Sequence, residues 1–175
     1  MKRVTWLILA FFLTCLPAMA QQTPQWEVSG GYSHLVANVG SNSFGLDGGG
    51  GALQENMNNW FGARLEINAF GGNTGGVHVT AQTYSFGPVF AYRKFERITP
   101  FAHVQLGAFR ASAGYLGISQ DSTRFMVAPG GGVDIGINPR FAVRLQGDYI
   151  TTDFLNERQS NIQFSAHLVF RIGRK

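Results

Sequence analysis

From about residue 25 onward, apolar and polar positions alternate with a period of two, and short stretches rich in Gly, Asn, Ser and Pro interrupt the alternation at intervals. In residues 59–70, Phe61, Ala63, Leu65, Ile67 and Ala69 fall on one side of an extended chain, and Gly62, Arg64, Glu66 and Asn68 fall on the other, because successive strand side chains point to opposite faces. The pattern predicts eight strands, near residues 25–35, 43–54, 59–70, 77–92, 98–110, 123–137, 140–151 and 160–172, with no helical period beyond the first twenty residues.

The separators differ by turns. "VANVGSNS", "GGNTGG", "ASAGYLGISQDS" and "DFLNERQ" predict loops at 36–42, 71–76, 111–122 and 152–159, whereas "ENMN", "RKFER" and "NP" predict tighter turns at the opposite end. An even number of antiparallel strands then brings both chain ends to the side of the tight turns. This is the layout of an outer-membrane β-barrel.

Alternation alone also fits a soluble sheet with one wet face, so the character of the polar face decides. Here it mixes Gly and Ser with a few charges of both signs: Ser29, Gly31 and Ser33 on the first strand, and Gly130, Gly132, Asp134 and Gly136 on the sixth. Between Lys94 and Lys175 there is no lysine. Such a face suits the crowded inside of an eight-stranded barrel, where small residues leave room for a few long polar ones that pair across the lumen. Arg64, Glu66, Asp134, Arg144 and Asp148 are the predicted lumen ionic network, with His103 and His167 joining it by hydrogen bonds. The apolar set then faces acyl chains. Trp26, Trp60, Tyr92 and Phe101 near one end, and Tyr32, Phe44, Phe70 and Tyr149 near the other, are predicted to form interfacial girdles.

The first twenty residues, "MKRVTWLILAFFLTCLPAMA", combine a basic start, an apolar run and a small-x-small site, the pattern of a secretory signal peptide. We expect residues 1–20 to be a signal peptide and 21–175 one barrel domain. Its removal takes away Cys15, the only cysteine, so no disulfide is expected. It also removes Lys2 and Arg3 from fourteen basic residues, leaving twelve against ten acidic ones, a balance that gives no reason to expect a nucleic-acid partner.

Candidate chemistry is sparse. "DGGGGALQ" lacks the Lys-Ser/Thr and the helix of a phosphate loop. His34, His78, His103 and His167 never form a short-spaced pair, so neither a metal nor another cofactor is expected. His78 and Thr80 share a face, but no carboxylate lies within a few residues of them on that strand, and a hydrolase needs nucleophile, base and orienter together. The reading is therefore not an enzyme. A narrow or gated pore, a soluble lipocalin-like barrel with its apolar face inward, and a lipid-modifying enzyme are the alternatives.

The eight-strand rhythm, the hairpin "GGGVDIGINPRFAVRLQGDY" and the closing "FSAHLVFRIG" together resemble the OmpA/OmpX-like family of small outer-membrane β-barrels. The resemblance implies an eight-stranded antiparallel up-and-down barrel, monomeric, in contact with outer-membrane lipid, with a structural or surface-adhesive role. It also implies a final strand read by the barrel-assembly machinery, for which Phe164, Leu168, Phe170 and Ile172 supply the alternation. The family's terminal aromatic is replaced here by Gly173-Arg174-Lys175.

Overall fold

The computed structural model describes residues 23–39, 42–74, 77–115, 118–154 and 157–173; the expected signal peptide lies outside them. Eight strands follow one another: β1 Trp26–Val39, β2 Asn42–Asn56, β3 Phe61–Thr74, β4 Val77–Ala91, β5 Ile98–Tyr115, β6 Ile118–Gly136, β7 Phe141–Phe154 and β8 Glu157–Ile172. Each pairs antiparallel with its sequence neighbours, and β8 returns to β1, closing the barrel. Closure removes the unpaired edges that would otherwise recruit other chains.

The register fixes the stagger. From Val169 the pairing runs through Ser29, Ala52, Glu66, Ser85, Gly107, Met126 and Thr152, and returns to β8 at Gln159, ten residues from the start. A barrel with so few strands and that stagger is strongly tilted and narrow, with an interior just wide enough for side chains to fill.

The strands are longer than the pattern predicts at the end away from the termini. The stretches 36–39, 71–74, 111–115, 118–122, 152–154 and 157–159, expected as loops, continue the ladders instead, up to Tyr115↔Ile118 between β5 and β6 and Phe154↔Glu157 between β7 and β8. Local Gly, Ser and Asn content reads as a loop, but pairing with an extended neighbour overrides it. The centres of those four connections lie outside the described residues.

At the other end, residues 57–60 and 137–140 form a repeated turn. Asn58 Oδ1 accepts from the amides of Trp60 and Phe61 at 2.9 and 2.7 Å, and Asn138 Oδ1 accepts from those of Arg140 and Phe141 at 2.9 and 2.8 Å. An Asn side chain that copies a backbone turn in this way explains why "MNNWF" and "INPRF" share their Asn and Phe. The third turn spans 92–97.

The faces sort as the alternation predicts. Leu65 and Phe164 are 49% and 56% exposed on the outer wall, whereas Arg64 and Arg144 are 1% and 2% exposed inside. Three aromatic assignments are corrected: Phe70 and Phe101 are buried, and Phe44 is partly buried against the inner cluster. All three are in phase with the inward residues of their strands. Trp60, Tyr92, Tyr32 and Tyr149 are exposed.

Candidate functional site

Among the described residues the lumen gathers the buried charges, and they are layered along the barrel axis. Nearest the turns, Arg144 on β7 makes a two-pronged contact with Asp134 on β6, Nε to Oδ1 and Nη2 to Oδ2, both at 2.7 Å. Register partners Asp134 and Arg144 face each other across the β6–β7 ladder, so the pair is set by strand alignment. Arg144 Nη2 also donates to Glu27 Oε2 at 2.7 Å, and Glu27 Oε1 accepts from Arg93 at 3.0 Å. Charges this deep persist only when paired and hydrogen-bonded.

One layer further in, Arg64 Nε and Nη2 donate to Gln54 Oε1 at 3.0 and 2.7 Å, and Nη1 donates to Gln146 Oε1 at 2.8 Å. Its ion pair with Glu66 is long, 3.9 Å. Glu66 is held mostly by amides, from Asn68 at 3.0 Å and Gln146 at 3.3 Å. Asp148 completes the layer, with Oδ1 at 2.6 Å from His103 Nε2 and Oδ2 accepting from Gln146 at 2.8 Å. His167 lies beside Ser33, 3.3 Å from its hydroxyl.

The five residues singled out from the sequence thus fall into two groups, Asp134 and Arg144 in one and Arg64, Glu66 and Asp148 in the other. Between the two guanidiniums stands Phe101, its ring centre 4.8 Å from Arg64 Cζ and 5.0 Å from Arg144 Cζ. A ring within cation–π range of both guanidiniums helps two like charges share a narrow tube. Glycines make the room: a Cβ on Gly132 would lie 2.0 Å from the Leu145 carbonyl oxygen and 2.9 Å from the Phe101 ring, and one on Gly130 would lie 2.0 Å from Asp148 Oδ1.

Sequence reasoning missed Glu27, Arg93, Gln54 and Phe101. Glu27 had a signal, since it lies in phase with Ser29, Gly31 and Ser33. Arg93 had none, because it reaches the lumen from a turn.

Beyond the polar layers the interior turns apolar. Leu35, Leu46, Phe70, Ala81, Phe109, Met126, Ala128 and Ile150 form one buried cluster toward the far end. Between it and the Glu66–Asp148 layer remains a cavity of about 10 Å³, lined by Gln105, Gln146, Met126 and Ile150 among others. That is space for about one water molecule. Among the described residues no three His, Cys, Asp or Glu side chains gather where a metal ion could be held. The side chain of His78 lies outside the described set.

Phe164, Leu168, Phe170 and Ile172 all point outward from β8 and are exposed. Phe170 packs against Phe141 of β7 at 5.1 Å between ring centres.

A family model described as "Outer membrane protein beta-barrel domain" matches residues 6–170. A comparison with curated protein sequences finds no match. Among solved structures, the neisserial surface protein A (NspA) is similar with a TM-score of 0.75 at 12% identity, covering 85% of this chain and 97% of that one. Ail, the attachment invasion locus protein of Yersinia pestis, gives 0.60 at 17%, covering 84% and 99%. The N-terminal β-barrel domain of Pseudomonas aeruginosa OprF gives 0.59 at 11%, covering 86% and 100%. At these identities the likeness concerns the fold.

Proposed function

The chain belongs to the outer membrane protein beta-barrel domain family and is an integral barrel of the outer membrane; from that premise we propose that it is a closed, non-catalytic wall element that braces the membrane and presents the far ends of its hairpins at the cell surface. The observation that carries this reading is the doubly sealed lumen, ionic near the turns and apolar beyond them. A tube filled in this way offers no path to solutes, and its outer wall offers lipid a continuous apolar band. A soluble ligand-binding barrel requires the opposite orientation, with Leu65 and Phe164 inside and Arg64 outside.

Export by residues 1–20, with the turn-bearing rim and both chain ends on the periplasmic side, completes the reading. The outward Phe164, Leu168, Phe170 and Ile172 are its contact with the assembly machinery, and the barrel works as a monomer without a cofactor. An adhesive role is supported by the extended hairpins, β5 and β6 being the longest strands at 18 and 19 residues, and by the fold shared with a protein named for attachment and invasion.

Membrane fractionation together with heat-modifiability on a gel tests the location: a folded, heat-modifiable band in the outer-membrane fraction is expected. Adhesion of cells that express the protein, compared with cells in which the β5–β6 tip is shortened in register, tests the surface role. Equal adhesion would discard the adhesive half and leave the bracing one.

A further inference from the structure

An ionisable cluster stands on the outer wall, apart from the lumen. His34 on β1 and Asp47 on β2 are register partners, and Asp47 Oδ1 accepts from His34 Nδ1 at 2.8 Å and from the Tyr32 hydroxyl. The three are out of phase with the buried Ser33, Leu35 and Leu46, and the Asp47 side chain is 70% exposed. A carboxylate only accepts, so Nδ1 carries the proton of this contact, and Nε2 holds a lone pair when the ring is neutral. With both donors spent on one oxygen, the cluster turns acceptors outward.

Beside it the wall opens into a groove of about 300 Å³, lined by Tyr32, His34, Leu145, Phe164 and Ala166. Two rungs of the ladder make it. Tyr32 pairs with Ala166 and Ala166 with Leu145, so a methyl group forms the floor between two large side chains; on the next rung His34 pairs with Phe164 and Phe164 with Gly147. The Phe164 ring leans over Gly147, where a Cβ would lie 3.8 Å from it, and the His34 ring leans the other way over Gly45, where a Cβ would lie 2.8 Å from Cε1. Tyr32 joins groove and cluster, its ring in the groove wall and its hydroxyl on Asp47. The following rung holds Val36, Ile162 and the exposed Tyr149, so the cluster stands at the border of the apolar band away from the turns.

Among the described outward side chains of β1, β2, β3 and β8 there is no lysine or arginine. An ionisable group on a lipid-facing wall is costly and marks a site for a partner. A carboxylate beside an aromatic ring suits an ammonium, which the first hydrogen-bonds and the second attracts.

We propose that this is a site for a lipid with a primary-ammonium headgroup in the leaflet away from the turns, the ammonium held by Asp47 beside Tyr32 and His34 and an acyl chain lying in the groove over Ala166. The proposal rests on the membrane reading above. A bare apolar wall takes any acyl chain, whereas this site discriminates by headgroup.

The test is native mass spectrometry of the full refolded chain, with phosphatidylethanolamine and phosphatidylcholine of identical acyl chains offered at equal concentration. The two headgroups carry the same charges, but only the first has N–H donors. The parent should retain the ethanolamine lipid about five-fold more than the choline lipid, the effect of one charge-assisted hydrogen bond at an exposed place. Asp47→Asn and Asp47→Ser, both at an exposed position, should each remove the preference. Ala166→Phe, which fills the groove floor, should lower retention of both lipids. Equal retention by the parent, or a preference that survives the Asp47 substitutions, overturns the site, and unchanged retention in Ala166→Phe overturns the groove's part in it. A sugar-headed lipid of the same chains that displaces the ethanolamine lipid would assign the acceptors to hydroxyls and overturn the ammonium. A heat-modifiability gel on the same samples separates the two readings: absence of a folded band in the parent overturns the membrane reading itself, whereas a folded barrel without preference overturns the lipid site alone.

Discussion

Arg144 holds two carboxylates at once, Asp134 by two contacts and Glu27 by a third. Arg144→Ala therefore strands the buried Asp134 carboxylate and leaves Glu27 with Arg93 as its remaining cation, and breaking a buried pair costs about 3–5 kcal/mol. Urea unfolding of the barrel, followed by loss of the heat-modifiable band, should show that loss as an earlier midpoint. Glycine substitutions should divide according to what a methyl group would meet. Gly132→Ala would drive a Cβ to 2.0 Å from the Leu145 carbonyl oxygen, whereas Gly71→Ala meets nothing within 4 Å. The first should fail to give a folded band, and the second should unfold within about 0.5 kcal/mol of the parent. The same distances answer why charged strands carry so much glycine: at Gly130 and Gly132 the missing side chains are the space that Asp148 and Phe101 occupy.

At the level of strands and turns, the period-two pattern located all eight elements and the face of nearly every residue, since one buried and one lipid-facing side leave no freedom of register. Where it fell short, the cause was context. Phe44, Phe70 and Phe101 were assigned to girdles by type and position along the strand, but phase decides, and each is in phase with the lumen. The far ends of the strands looked like loops because Gly, Ser and Asn favour turns, and no local signal reveals that a neighbour extends equally far. Of the lumen network, the charged residues in mid-strand were legible; Phe101 was not, because an aromatic between two guanidiniums has no sequence signature. The repeated Asn turns give a further test. Asn138→Ala removes two hydrogen bonds to backbone amides, and at about 1 kcal/mol each should destabilise the barrel by about 1–2 kcal/mol in the same urea titration.

For the molecule as a whole, the two seals are independent. Opening the layer nearest the turns by Arg144→Ala leaves the Arg64–Glu66–Asp148 layer and Leu35, Leu46, Phe70, Phe109, Met126 and Ile150 in place, so planar-bilayer recordings of both the parent and that variant should be silent. Current would be expected only when the Arg64 layer and the apolar cluster are opened as well, for instance by adding Arg64→Ala, Phe70→Ala and Phe109→Ala. Conductance in the parent protein would refute the closed-lumen reading.

The ten-residue stagger that closes the ring has a consequence for how such a chain can change over time. Because every strand is locked to two neighbours, deleting a single residue from the middle of one would turn its greasy side chains into the tube and its ionic ones toward hydrocarbon, and the mismatch would have to travel round the whole circumference. Lineages descended from this sequence should therefore differ in length at hairpin tips, or within strands by pairs of residues, while odd-numbered gaps inside the wall should be purged.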